Sequence, residues 1–193
     1  MDDVRDRTVT VDEVRAKYPS DPGLLEQVLR PYRDNCKYLK AATITVEGDS
    51  LESGRITATC EFEIPESCYI DDTGHFNSVE FNICFNQMFY YVAAKAVQEG
   101  FMYPFSRWST EDYWKRQLAD FLITDFRSSF RSAMSGRSFR GEIEVVDIAE
   151  WEGSDIRDPL IVMRTQCRYW DEFGGESRGD ISIAITNPPP ATH

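Results

Sequence analysis

Histidine is nearly absent from this chain, which holds only His75 and His193 in 193 residues. A metal centre built on several imidazoles has too few ligands here. Cysteine is present but unpaired. Cys36, Cys60, Cys68, Cys84 and Cys167 are odd in number, widely spaced and without a C-x-x-C pair. Neither a disulfide framework nor a zinc ribbon is indicated, and the thiols read as reduced and structural, as in the cytoplasm. No metal and no organic cofactor is expected. Apolar runs stay short of the roughly 18 residues that cross a bilayer. The charged opening Met1-Asp2-Asp3-Val4-Arg5-Asp6 lacks the apolar centre of a signal peptide. A cytoplasmic protein with no membrane partner is expected. Positive charge is scarce as well: 21 lysines and arginines face 33 acids, for a net charge of −12. Such a surface repels phosphate backbones, so nucleic acid is not an expected partner.

What is present is a globular composition, 41% hydrophobic and 13% aromatic. The length suits one buried core and not two domains. Residues 1–20 are polar and read as an irregular arm, residues 21–187 as a single domain, and residues 188–193, with their three prolines, as a loose tail. Asp21 and Pro22 open a short helix whose stripe is Leu24, Leu25, Val28 and Leu29. Residues 38–46 favour a strand, and Gly48-Asp49-Ser50 signals a turn. From Arg55 to Ile64, apolar and polar residues alternate with a period of two, the mark of a sheet with one buried face. A long helix is expected from about Asn77 to Glu99, apolar around most of its circumference and capped by Gly100. Ser109 and Asp112 open another helix, residues 118–130 suit a strand, and three more strands follow. Gly174-Gly175 marks the last hairpin.

One-sided strands on both sides of a helix that is apolar all round fit a single arrangement. An antiparallel sheet wraps a long central helix, the hotdog architecture, and the class is α+β. Polar residues in such a helix are the informative exceptions. They are Asn77, Glu80, Asn82, Asn86 and Gln87, with His75 just before and Tyr69 in the preceding loop. Singly, each has a bland role: a cap, a packed ring, a structural hydrogen bond. Clustered at one loop–helix junction, they point to acid–base work beside helix amides that can hold an oxyanion. A second feature is Arg127, Arg131, Arg137 and Arg140, four arginines in 14 residues without an acid. On an acidic protein they can attract a phosphate or an acidic partner.

The segments Glu66-Ser67-Cys68-Tyr69-Ile70, Thr73-Gly74-His75-Phe76-Asn77-Ser78-Val79-Glu80 and Cys84-Phe85-Asn86-Gln87 resemble the FcoT-type thioesterase family. Arg30-Pro31-Tyr32, Cys36-Lys37-Tyr38-Leu39 and Trp170-Asp171-Glu172 with Gly174-Gly175 extend the likeness over most of residues 24–187. Members act as enoyl-acyl-carrier-protein glycyltransferases of isonitrile lipopeptide biosynthesis. The resemblance implies that Tyr32, Tyr69 and Asn86 hold the acyl thioester, with Gly74, His75, Asn77 and Glu80 beside them. Together with the residue chemistry, this makes His75, Glu80, Asn86 and Tyr69 the expected catalytic residues, and Tyr32, Asn77 and Gly74 the expected substrate-binding ones. The implied partners are glycine and an acyl carrier protein bearing an enoyl chain, and the charge of the four arginines separately suggests that they dock the carrier or its phosphopantetheine phosphate. A homodimer or higher oligomer is implied too. Gly-His-Phe before a buried helix is also similar to hotdog dehydratases, which work at the same β-carbon. Two alternatives stay open on sequence: a long-chain fatty acyl-CoA thioesterase, and a non-catalytic acyl-chain-binding module. Either His75 or Glu80 suits the base.

Overall fold

The computed structural model describes residues 14–48, 54–71 and 73–190. Along the chain run β1 (Val14–Tyr18), α1 (Pro22–Leu29), β2 (Leu39–Glu47), β3 (Arg55–Glu63), α2 (Ser78–Glu99), α3 (Thr110–Arg116), β4 (Phe121–Phe130), β5 (Ser138–Trp151), β6 (Leu160–Trp170) and β7 (Glu176–Thr186). The strands form one sheet in the order β1-β2-β3-β5-β6-β7-β4, and every neighbouring pair is antiparallel. The fold is the expected α+β hotdog.

The pattern of β3 decides which face of the sheet is buried. Ile56, Ala58, Cys60 and Phe62 point inward and are at most 4% exposed. Against that face lies α2, in which every residue from Gln87 to Val97 is buried. A helix is buried so continuously only when sheet and helices enclose it. Its ends are set locally. Gly100 closes it at φ 68°, a left-handed conformation that glycine adopts without a Cβ clash. Two further glycines make room for rings packed on the sheet. A Cβ on Gly179 would stand 2.8 Å from the Phe81 ring, and one on Gly141 would stand 2.8 Å from the rings of Phe62 and Tyr169. A larger residue at 179 would push the sheet off the start of α2, and one at 141 would displace the rings of the flanking strands.

One expectation is corrected. The arm read as irregular through residue 20 contains β1, paired with β2. Ala16 and Tyr18 are half-buried and pack on the core, and Tyr18 stacks on Phe101 at 4.9 Å. Two inward residues between charged neighbours are too short a pattern to announce a strand; the open edge of β2 supplies the pairing. Residues 1–13, Asp49 and Ser50 of the expected turn, and His193 lie outside the described residues.

Candidate active site

The site begins with the cap of α2. Asn77 is the N-cap, and its Oδ1 accepts from the backbone N–H groups of Val79 (3.0 Å) and Glu80 (3.3 Å). Glu80 Oε2 in return accepts from the Asn77 N–H at 3.3 Å, completing a capping box. Glu80 is only 4% exposed, so its carboxylate fixes the helix start from inside the protein. Tyr69, from the exposed loop after β3, donates its hydroxyl to Asn77 Oδ1 at 2.8 Å. One asparagine oxygen thus gathers two amides and a phenol.

The turn before the helix holds His75. Gly74 turns the chain at φ 74°, and Thr73 Oγ1 donates to the His75 carbonyl at 2.9 Å. His75 Nδ1 lies 2.9 Å from the Thr73 carbonyl oxygen. A carbonyl can only accept, so Nδ1 carries a proton, and in the neutral ring Nε2 is then the acceptor. His75 is exposed, whereas its neighbour Phe76 is buried and anchors the turn. The Phe76 N–H donates to the Met134 carbonyl at 2.8 Å, and its ring packs on Phe139 and Tyr169 at 4.8 and 5.2 Å.

Between this turn and the β4–β5 loop is a cavity of about 50 Å³, lined by Ser67, Gly74, His75, Glu80, Gly136 and Arg137 among others. The loop is fixed on two sides. The Ile64 N–H donates to the carbonyls of Gly136 and Arg137 at 3.2 and 3.3 Å. Asp171 Oδ2 accepts from the Ser135 N–H at 2.7 Å, while its Oδ1 accepts from Phe173 and Gly175 at 2.9 and 2.8 Å. Burial alone would push the Asp171 carboxyl up, but these backbone donors outweigh it and hold the group below the usual carboxylate range. Arg137 donates to the Pro65 carbonyl across the cavity mouth.

The structure therefore brings Gly74, His75 and Glu80 to one cavity and ties Tyr69 and Asn77 to its rim. Tyr32 and Asn86 do not line it. Asn86 is half-buried and its Nδ2 donates to Asn82, to the carbonyl at 3.1 Å and Oδ1 at 3.2 Å. Tyr32 is half-buried, and burial, then the nearby Tyr90 and Cys84, push its hydroxyl's pKa up. The arginines divide. Arg137 joins the cavity, while Arg127 on β4 pairs in register with Asp180 and Arg140 on β5 with Glu61 and Trp170. Gln87 belongs to the frame: its Oε1 accepts from the N–H groups of Tyr38 and Leu39, each at 2.9 Å. Sequence reasoning passed over Ser67, Gly136 and Asp171, whose positions depend on contacts between distant segments. Among the described residues, no group of three or more His, Cys, Asp or Glu side chains converges to hold a metal ion, and no helix is long and apolar enough to cross a membrane.

The model of the FcoT-like thioesterase domain matches residues 27–185. A (2E)-enoyl-ACP glycyltransferase of Streptomyces coeruleorubidus is 49% identical over 170 residues, covering 88% of this chain and 99% of the relative. The (2E)-enoyl-ACP glycyltransferase of Mycobacterium tuberculosis is 35% identical over 174 residues, covering 89% and 90%. That of Mycobacterium marinum is 34% identical over 175 residues, covering 86% of each.

Proposed function

The chain belongs to the FcoT-like thioesterase domain family, and from that membership we propose that it adds glycine to a (2E)-enoyl thioester on an acyl carrier protein. The observation that carries this is 49% identity to a (2E)-enoyl-ACP glycyltransferase along 99% of that relative's length. The chain is an enzyme. Glycine's ammonium loses a proton and its nitrogen attacks the β-carbon of the enoyl chain. The π electrons move toward the thioester oxygen, and the α-carbon then takes a proton. The product is a 3-[(carboxymethyl)amino]acyl thioester, with the (3R) configuration expected for this family. Water then attacks the thioester carbonyl, the thiol leaves, and the free acid is released. A short, crotonyl-like chain, a cytoplasmic setting and isonitrile lipopeptide biosynthesis complete the reading.

The geometry supports a division of labour. In the neutral tautomer that the Thr73 carbonyl favours, His75 Nε2 is the acceptor, which suits the base for glycine and afterwards for water. Glu80 is engaged in the capping box and polarises the cavity from its buried side. Tyr69 and Asn86 have their donor hydrogens engaged within the chain, to Asn77 and Asn82. Substrate entry exchanges those bonds for the thioester oxygen, with Tyr32 beside the acyl chain. Arg127, Arg131 and Arg140 make the local positive contact that an acidic enzyme needs toward an acidic carrier, and Arg137, the fourth of the group, is drawn into the cavity instead.

The test is mass spectrometry of crotonyl-carrier protein incubated with the enzyme, with and without glycine. A glycine-dependent adduct, followed by its release as the acid, is expected. Hydrolysis of unmodified crotonyl thioester at the same rate in both arms would leave the plain thioesterase reading standing instead.

A further inference from the structure

We propose that the cavity between the His75 turn and the β4–β5 loop is the glycine subsite, and that Arg137 with Ser67 reads the amino acid's carboxylate. This rests on the glycine-transfer reading above and names the groups that select the amine. Three observations carry it.

The first is charge of both signs lining one small space. Arg137 lines the cavity from the β4–β5 loop, while Glu80 and His75 line it from the helix start. A zwitterion laid between them places its carboxylate on the guanidinium and its ammonium toward Glu80 and His75 Nε2. A guanidinium suits a carboxylate because its donors form a planar fork. Its position is also prepared. The Arg137 carbonyl accepts from the Ile64 N–H, its own N–H donates to Ser135 Oγ at 3.3 Å, and Asp171 holds the loop behind it.

The second observation is an unused donor. Ser67 lines the same cavity, and its Oγ is buried without a hydrogen-bond partner. A buried hydroxyl left unpaired costs roughly 1–3 kcal/mol, so a ligand oxygen that accepts from it is favoured. A carboxylate with its second oxygen on Arg137 meets that requirement.

The third is size. A space of about 50 Å³ is on the scale of a few water molecules, which suits a ligand as small as glycine. Gly136 forms part of the wall. A Cβ there would stand 3.9 Å from Glu80 Oε2 and from the Phe76 backbone, an ordinary contact. Alanine thus fits position 136 without strain while narrowing the space where the amine would lie. Arg137 accordingly separates in role from Arg127, Arg131 and Arg140, which remain the carrier contact.

The experiment is steady-state addition to crotonyl-carrier protein by the full chain, varying glycine and carrier separately. Arg137→Gln should raise the KM for glycine about 10- to 100-fold, as loss of a charge-assisted hydrogen bond implies, and leave the carrier KM within about twofold. Methylamine, which lacks the carboxylate, should react more slowly than glycine with the wild type, and that preference should collapse in Arg137→Gln. Ser67→Ala and Gly136→Ala should raise the glycine KM with no loss of thermal stability, so they decide the matter even where the arginine variant folds poorly. An unchanged glycine KM in these variants, or equal rises in both KM values, overturns the glycine subsite. A wild-type enzyme that forms no glycine adduct at all overturns the parent reading instead.

Discussion

His75 and Glu80 entered as interchangeable candidates for the base, and their hydrogen bonds now separate them. The tautomer imposed by the Thr73 carbonyl leaves His75 Nε2 as an acceptor, while Glu80 Oε2 already holds the Asn77 amide. Glutamine at the same helix position also completes a capping box, so Glu80→Gln should fold normally. In single-turnover addition followed by mass spectrometry, His75→Ala should lower the rate on the order of 10²-fold or more, and Glu80→Gln by less. The reverse order would assign the base to Glu80. Asp171 gives a second outcome at this scale. Its folded pKa lies below the value of an unfolded aspartate, so the unfolded chain binds the proton first. The stability it contributes is present above pH ~4 and lost as pH falls through the folded value. Asp171→Asn should therefore destabilise the protein at neutral pH by about 2 kcal/mol, since three backbone donors lose an anionic acceptor. The gap from wild type should narrow as the pH of the melts falls; a gap that stays constant from neutral pH into acid would contradict the linkage.

Helix α2 and strand β2 are joined through one side chain, which makes Gln87 the sharpest test of an element. Its amide bonds the backbones of Cys36, Tyr38 and Leu39, all at the entry to β2, and Gln87 is fully buried. Gln87→Leu keeps the volume but strands two buried N–H groups and a carbonyl, at about 1–3 kcal/mol each. Thermal melts should show a fall of several degrees or a failure to fold, and an unchanged midpoint would mean that water replaces the amide. The role of Gln87 was hidden in the sequence because its partners lie nearly 50 residues upstream. The elements themselves were legible wherever the signal was local. Asn77 ahead of a long apolar run announced the start of α2, the alternation of β3 its buried face, and Gly174-Gly175 the last hairpin. The cavity was legible only on its helix side, since His75 and Glu80 are neighbours in sequence. Ser67 and Arg137 come to it through the pairing of β3 with β5, which no local pattern encodes.

Charge over the whole molecule argues for a partner copy. About 28% of the residues are charged, yet from Ser78 to Ala94 the one charged residue of α2 is Glu80, which is buried. The stripe of α2 that its own sheet leaves uncovered is Val79, Asn82, Ile83 and Asn86. Val79 is 44% exposed, and Tyr69 and Ile70 in the nearby loop are 47% and 52% exposed. An uncharged, partly apolar strip on a surface otherwise dense in charge is what a second copy with the same net charge can approach without repulsion. Asn86 lies on the strip and Tyr69 bonds Asn77 at its start, so the same closure would shield the thioester oxygen from water. Sedimentation at micromolar concentration should therefore show a dimer or a larger assembly. Ile83→Asp should shift it toward monomer, because the carboxylate would have to be buried unpaired, and addition to crotonyl-carrier protein should fall in proportion to the dimer lost. Raising the protein concentration should restore both together. A monomeric Ile83→Asp protein with full turnover would show that one copy completes the site by itself, and the exposed strip would then need another occupant.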